Sequence, residues 1–454
     1  MRKRRRKRDD RADLPGNPGH RPKPQHRWPT CASARTGIYA GHKVAERIRE
    51  GSTMPPITES EPRIGSNVRA ARRSRGMSLE TLAGLTGHSK GWLSKIENGH
   101  ARLEKRQDIA AIAEALAVSA DSLVGAPAPE IQPHARFYNF EPLRAALLDA
   151  AIDDPRDTPA RPLTVLAELT TGQDQALRNA DYDTLTQQLP GLLGDLQIHA
   201  ASATGADRQM ALQLLIQACA SAMIMLRHFE LTDLAWVSAE RGRQAAELLK
   251  DPIWRAAAAF ECAHARPAAN KSRALLSTPR RADELEPHIG DEPFAHQVYG
   301  MLHLSAALSC LIQNDHKGAE THGLEAAKIA ERLGDHPDAF ELFGPANVGV
   351  WRASFAVEAG NAEQALAYAN AVEPRNLASH NRRAALRIEK ARAFAMLGKD
   401  AEAVRELRQA ERLSPAQTRH HPLIRELVSD MLTRSRREAG GRDLRGIAWR
   451  MNVI

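Results

Sequence analysis

The stretch "TGHSKGWLSKIENG", residues 86–99, decides the fold of the segment around it. Ser89 is a preferred N-cap residue and the pair Asn98-Gly99 is a typical helix end, so the stretch predicts a turn followed by one short helix. At about 100° per residue this helix has two faces. One face is small, polar and basic and consists of Lys90, Gly91, Ser94 and Lys95. The opposite face packs inward and consists of Leu93, Ile96 and Glu97, with Trp92 on the border.

The small, basic face suits a helix that enters the major groove of DNA, because small residues allow close approach and lysines neutralise phosphate charge. The segment before it, "SLETLAGLTG" (78–87), predicts the helix that crosses the DNA backbone in a helix-turn-helix. Three further amphipathic segments flank this pair, at 64–76, 104–118 and 119–125. Residues 62–125 are therefore predicted to form a compact unit of five helices.

This unit resembles the helix-turn-helix domain of the Cro/repressor type, known as the XRE family. The residues that carry the resemblance are Gly76, Ser78, Leu82, Ala83, Gly87, Ser89, Leu93, Ile96, Glu97, Gly99, Leu116 and Leu123. The resemblance implies that the third helix faces DNA bases through Ser89, Lys90, Gly91, Ser94 and Lys95. It implies phosphate contacts from the following loop through Asn98, Arg102, Lys105 and Arg106. It also implies a partly buried ion pair between Arg72 and Glu97.

Two departures from the family pattern bear on specificity. The second position of the second helix is often Gln in the family, but here it is Leu79, which can contact neither phosphate nor base. The third helix also lacks the Gln or Arg that would make a bidentate contact with a base. These departures favour a modest or shape-dependent sequence preference.

Charge is distributed unevenly along the 454 residues, whose formal net charge is +8. Residues 1–53 hold 15 Lys and Arg against 5 Asp and Glu, and residues 62–125 hold 10 against 6, so the remainder is slightly acidic. A basic N-terminal region predicts a polyanionic partner at that end only. The low aromatic content of 4% and the many Ala, Leu, Arg and Glu residues favour an all-α fold.

Residues 1–60 are rich in Arg, Pro, Gly and His without helical or strand periodicity, which predicts a disordered extension. Two interpretations stay open. The segment is a basic arm that contacts phosphates, or translation starts at Met54, because "REGSTM" (49–54) is compatible with a ribosome-binding sequence before that codon. A proline-rich linker, "APAPEIQP", follows the five-helix unit and is assigned to residues 126–139.

Residues 140–454 predict helix after helix, with turn residues recurring at intervals of 38 to 50 residues. The clearest repeat is "RIEKARAFAMLGKDAEAVRELRQAERLSP" (387–415), whose Ala391, Phe394, Gly398 and Pro415 match tetratricopeptide spacing. We predict an α-solenoid of tetratricopeptide-like hairpins with a concave surface. One helix-turn-helix followed by such a region resembles a class of actinobacterial regulators. That resemblance implies DNA binding controlled through a small-molecule or peptide effector or through dimerisation.

The segment "FGPANVGVWRASF" (343–355) contains the candidate effector site. Gly344 and Pro345 interrupt the helical pattern, so the next helix should begin near Asn347. Asn347, Trp351 and Arg352 are candidate contacts for a small molecule or a peptide end, and Tyr299 and His303 are candidates from the preceding helix. The pattern favours the plainer interpretation, in which Trp351 is a packing residue of a repeat helix and Asn347 is a helix cap.

No catalytic motif is recognised, and the scattered histidines have poor metal-ligand spacing, so neither enzymatic activity nor a metal or cofactor is expected. Cys31, Cys219, Cys262 and Cys310 form no CxxC motif and are expected to be reduced thiols of a cytoplasmic protein. The most apolar run, 212–226, is short for a membrane span. We therefore predict a DNA-binding transcriptional regulator acting as a homodimer on double-stranded DNA. The alternative is a repeat scaffold that mainly binds proteins.

Overall fold

The computed structural model describes residues 63–101, 103, 105–116, 118, 120–124, 138–148, 151–266, 275–435 and 441–454. Every regular element within these ranges is a helix, which confirms the predicted all-α fold. The predictions made for residues 1–60, and for all but the last two residues of the linker, lie outside the described part of the chain.

The predicted five-helix unit is present. Its helices are α1 (Arg63–Ser74), α2 (Leu79–Thr86), α3 (Lys90–Glu97), α4 (Arg106–Ala115) and α5 (Ala120–Val124). The side chains of Ser78 and Ser89 accept hydrogen bonds from the N–H groups of Thr81 and Trp92, which caps α2 and α3. The buried core consists of Ile64, Val68, Leu82, Leu93, Ile96, Ile109, Ile112, Leu116 and Leu123. Leu85 stands three residues after Leu82, a spacing that predicts the apolar face of α2, but it is 61% exposed.

Helices α1 and α3 approach each other most closely at Gly65. A Cβ atom built on Gly65 would lie 2.1 Å from the carbonyl oxygen of Ile96, a distance that real atoms do not adopt. The absence of a side chain at this position therefore lets α1 pack directly on the backbone of α3. This contact fixes the orientation of the α3 face that points away from the core.

We expect Gly65→Ala to destabilise the five-helix unit by about 1–3 kcal/mol, because a methyl group there must push α1 and α3 apart. Hydrogen exchange of the α1–α5 amides in the full chain measures this loss. Gly84→Ala in α2 is the matched control, because a Cβ at Gly84 meets no atom within 4 Å. Equal protection in both variants would contradict the close-approach explanation.

The C-terminal region continues as helices joined by short turns. The helices are α6 (Glu141–Leu148), α7 (Leu163–Arg178), α8 (Tyr182–Ser202), α9 (Gly205–His228), α10 (Thr232–Leu249), α11 (Pro252–Ala265), α12 (Thr278–Leu285), α13 (Pro293–Ile312), α14 (His316–Leu333), α15 (Pro345–Glu358), α16 (Ala362–Ala371), α17 (His380–Met396), α18 (Asp400–Leu413), α19 (Pro415–His420), α20 (Pro422–Ser435) and α21 (Arg442–Arg450).

Successive hairpins in this region share one type of turn. A residue with positive φ stands immediately before the N-cap of the second helix in the hairpins α7–α8, α9–α10, α13–α14, α15–α16 and α17–α18. These residues are Ala180 (φ 56°), Glu230 (58°), Asn314 (62°), Gly360 (80°) and Gly398 (71°). The left-handed conformation ends one helix and reverses the chain into the next. The recurrence supports the predicted solenoid of helical hairpins.

The early and late hairpins of the solenoid contact each other directly. Asn381 at the start of α17 donates a hydrogen bond to the carbonyl of Leu177 (2.7 Å), and Tyr182 at the start of α8 donates to Asn381 Oδ1 (3.0 Å). The carbonyl of His228 accepts a hydrogen bond from His420 Nδ1 (3.1 Å). These contacts link residues 177–228 to residues 381–420, so the concave surface predicted for the solenoid is enclosed.

Helix α9 is long and apolar enough to cross a membrane by length and composition. In the fold, 61% of the most apolar 18-residue stretch of α9 is buried, and α9 packs between α8 and α10. A central helix of a solenoid can be equally long and apolar, since other helices cover both of its sides.

Candidate functional site

The face of α3 opposite the core carries the residues that the sequence assigned to bases. Ser89, Lys90, Gly91 and Lys95 are exposed and Ser94 is half-buried, whereas Leu93, Ile96 and Glu97 are buried. The ammonium group of Lys90 lies 3.3 Å from Glu80, but both side chains are more than 60% exposed, so this pair contributes little to stability. A Cβ atom on Gly91 would meet nothing within 4 Å. Packing within the chain therefore does not require glycine at this position.

Trp92 and His88 form a stacked pair at the border of this face. Their ring centroids are 3.9 Å apart, and His88 Nε2 lies 3.3 Å from Asp108 Oδ1 on α4. Burial raises the pKa of Asp108, while His88 and Lys105 lower it. Trp92 thus holds the turn before α3 against α4, which is a packing role.

Arg72 and Glu97 meet in a bidentate pair that joins α1 to α3. Arg72 Nε and Nη2 donate to the two carboxylate oxygens of Glu97 at 2.6 and 2.7 Å. Hydrogen bonding to Glu97 raises the pKa of Arg72. Arg69, which sequence reasoning missed, lies 3.8 Å from the same carboxylate and donates to the Glu97 carbonyl and to Asn98 Oδ1. The amide of Asn98 also donates to the carbonyl of Ser94 (2.7 Å), so its side chain ends α3.

The residues assigned to phosphates at the start of α4 face the solenoid in this structure. The N–H group of Arg106 donates to Glu358 Oε2 (2.7 Å), and Arg106 Nε lies 3.6 Å from Glu358 Oε1. Lys105 Nζ lies over the turn at Gly360, within 2.7 Å of where a Cβ would stand. Arg102 lies outside the described residues. The structure therefore places Lys105 and Arg106 at a junction between the five-helix unit and the solenoid.

The five candidate effector residues do not form one group: Asn347 and Trp351 both contact Arg382, whereas Tyr299 and His303 pack on each other. Asn347 is buried and donates to the carbonyl of Glu341 (2.8 Å), so it has an internal partner. Arg352 lies about 100° around α15 from Trp351 and therefore points to a different side of the helix. There it donates a hydrogen bond to the hydroxyl of Tyr368 (2.9 Å). Tyr299 and His303 pack edge to face, and His303 Nδ1 lies 2.9 Å from His322 Nδ1. Only Trp351 of the five lines the cavity between the five-helix unit and the solenoid.

A cavity of about 390 Å³ lies between the five-helix unit and the inner side of the solenoid. Helices α4 and α5 supply one wall through Arg106, Ile109, Ala110, Ala120 and Val124. Helices α9, α11, α13, α15, α17 and α19 supply the others. The volume falls in the range of natural small-molecule sites. Residues of the two regions thus share one concave surface.

The charged side chains that line this cavity include Arg227, Glu261, Glu341 and Arg382, which the sequence patterns did not single out. Burial lowers the pKa of both arginines and raises the pKa of both glutamates, and the neighbouring Glu341 raises the pKa of Glu261 further. Arg382 donates to Asn347 Oδ1 at 2.9 Å. Among the described residues no group of His, Cys, Asp and Glu could hold a metal ion.

Residues 63–124 match the family profile of the helix-turn-helix domain, which coincides with α1–α5. No curated protein matches the chain. Among solved structures, ComR from S. thermophilus in complex with DNA and its signalling peptide ComS is 14% identical, over 82% of this chain and 99% of that chain. Its TM-score of 0.24 is too low to support any argument about this protein. The chain therefore combines a helix-turn-helix domain with a helical C-terminal region.

Proposed function

We propose that this protein is a transcriptional regulator of the XRE type that binds double-stranded DNA through α3. The observation that carries the proposal is the exposed face of Lys90, Gly91, Ser94 and Lys95, on the second helix of a helix-turn-helix pair. Side chains on this face are short or cationic, and Gly91 leaves the backbone open to close approach. Such a face enters a major groove without steric conflict and neutralises phosphates beside it.

The helical C-terminal region is the regulatory part in this proposal, and we assign it to a tetratricopeptide-like class of actinobacterial type. Contacts between Arg106 and Glu358 attach this region to the helix-turn-helix domain. Arg106 is also one of the residues assigned to phosphate contact, so the same residue serves both interactions. We place the protein in the cytoplasm, where it would meet DNA. We also propose a homodimer, because one unit of this size covers only a short half-site.

A selection of binding sites from random duplexes with the full chain tests this proposal. We expect enriched sites with two related half-sites one helical turn apart, about 10 bp centre to centre. Sedimentation of the protein with a selected duplex should give two chains per duplex. Failure to enrich any duplex at about 50 mM salt would contradict DNA binding, and one chain per duplex would contradict the dimer.

A further inference from the structure

We propose that the cavity between α4–α5 and the solenoid binds a small organic carboxylate with an aromatic or aliphatic body, and that Arg227 is its counter-ion. This proposal rests on the proposed function only for its effect on DNA binding. The polar groups, the charge balance and the backbone of the cavity wall support binding of the carboxylate itself.

Several polar groups on the wall have no partner among the residues that the structure describes. Arg227 is half-buried and makes no hydrogen bond and no ion pair to any of these residues. Trp351 Nε1, Gln417 Oε1 and Glu261 Oε1 are buried and have no hydrogen-bond partner among the described residues. Buried polar groups are satisfied in almost all native proteins. Two donors and two acceptors on the cavity wall therefore indicate a polar ligand.

The charge balance of the wall favours one negative charge on that ligand. Three lining charges are paired in the chain: Arg106 with Glu358, Glu389 with Arg392, and Glu230 with Arg425. Arg227 and Arg382 remain, opposite Glu261 and Glu341. The two glutamates are adjacent, and burial together with the neighbouring Glu341 raises the pKa of Glu261. A proton shared between the two glutamates would leave one surplus positive charge on the four groups, which a monoanion neutralises.

The apolar part of the wall sets the body of the ligand. Phe260, Met301, Leu308, Val350 and the ring of Trp351 line the cavity between the charged groups. Apolar walls with a few convergent polar groups are typical of small-molecule sites. A carboxylate on an apolar skeleton matches both halves of the lining.

The backbone of the wall is strained where it presents Glu341. Glu341 and Leu342 are consecutive non-glycine residues with φ of 48° and 56°. Each such residue costs about 1–3 kcal/mol and persists at ligand clamps and switch regions. The bond from Asn347 to the Glu341 carbonyl holds this conformation.

A continuous set of contacts connects the cavity to the helix-turn-helix domain. Glu389, on the wall, pairs with Arg392 (3.0 Å), and Arg392 pairs with Glu358 (3.0 Å). Glu358 accepts the hydrogen bond from the Arg106 N–H group at the start of α4. Because α4 and α5 also form part of the wall, a bound ligand changes the contacts that hold the domain against the solenoid. The expected consequence is a change in DNA affinity on ligand binding.

Calorimetric titration of the full chain with phenylacetate, indole-3-acetate and octanoate, each beside its neutral primary amide, tests the ligand class. We expect at least one acid to bind at least about tenfold more tightly than its amide, and Arg227→Gln to remove this preference. Arg280→Gln, on an exposed side chain of α12, is the charge-matched control and should bind as the parent does. No binding by any acid, equal binding of acids and amides, or an unchanged preference in Arg227→Gln would overturn the proposal.

A second variant keeps the test decisive where Arg227→Gln fails to fold. Ala385→Phe places a ring in the cavity and leaves Arg227 intact, so it should abolish acid binding without loss of helicity. Acid binding that persists in folded Ala385→Phe would place the ligand elsewhere and overturn the assignment.

The effect on DNA is measured separately, as the ratio of DNA affinities with and without the bound acid. We expect this ratio to differ from 1 in the parent chain and to approach 1 in Arg106→Glu, where repulsion from Glu358 detaches α4. Acid binding with an unchanged ratio in the parent would overturn the coupling alone. Acid binding without any DNA binding would overturn the proposed function and leave the cavity assignment standing.

Discussion

Replacing Lys90 and Lys95 together by alanine is expected to lower the affinity of the full chain for its selected duplex by at least about 100-fold near 0.1 M salt. Both ammonium groups stand on the exposed face of α3, with no buried partner in the described part of the chain. In the proposed dimer, their loss would remove two contacts to phosphate or guanine from each subunit. Fluorescence anisotropy with a labelled duplex measures the change.

The matched control for this experiment is Lys317→Ala/Lys328→Ala, which removes the same charge from exposed positions on α14. It should bind DNA as the parent chain does. A loss of similar size in the control would mean that overall charge, and not the α3 face, governs binding. An unchanged affinity in Lys90→Ala/Lys95→Ala would exclude α3 as the DNA-contacting helix.

Replacing Glu97 alone by glutamine is expected to destabilise the helix-turn-helix domain by about 3–5 kcal/mol. Glu97 is 5% exposed, and its carboxylate is bonded by Arg72 and approached by Arg69. Without the negative charge, two guanidinium groups are left beside a neutral amide in the core between α1 and α3. Amide hydrogen exchange of α1–α5 in the full chain should accelerate by roughly two to four orders of magnitude.

The double replacement Arg72→Met/Glu97→Leu distinguishes a stranded charge from lost packing. Replacing both partners of a buried pair by apolar residues of similar size is often neutral. We therefore expect protection of α1–α5 in the double variant to lie well above that in Glu97→Gln. If the double variant exchanges as fast as the single one, the pair would be needed for its geometry rather than its charge balance.

The local structure of residues 63–124 could be predicted from the sequence because its determinants are local. Ser78 and Ser89 cap helices through N–H groups three residues away, and the helical period alone separates Lys90 and Lys95 from Leu93 and Ile96. The pairing of Arg72 with Glu97 came from the resemblance, since nothing in the period specifies a contact between residues 25 positions apart.

The position of the domain against the solenoid could not be predicted in this way. Arg106 meets Glu358 across 252 residues of sequence, and no local pattern marks either residue as part of a junction. Leu85 shows the same limit, because its spacing fits a core face but no element covers it.

The cavity was missed for a related reason. Helices of the solenoid are buried on more than one side, so their apolar period does not show which side is inner. Trp351 and Arg352 are neighbours in sequence but point to different sides of α15. The clue that could have found the site is the presence of Arg227 and Glu261 in largely apolar helices, since charged groups with shifted pKa values cluster at functional sites.

The salt dependence of DNA binding by the full chain tests the central claim most directly. If α3 of two subunits inserts Lys90 and Lys95 beside phosphates, the logarithm of the association constant should fall linearly with the logarithm of salt concentration. Four lysines alone give a slope of about −3.6, and Lys90→Ala/Lys95→Ala should flatten it by about that amount. A slope near zero, or an equal slope in the parent and the double variant, would contradict the account.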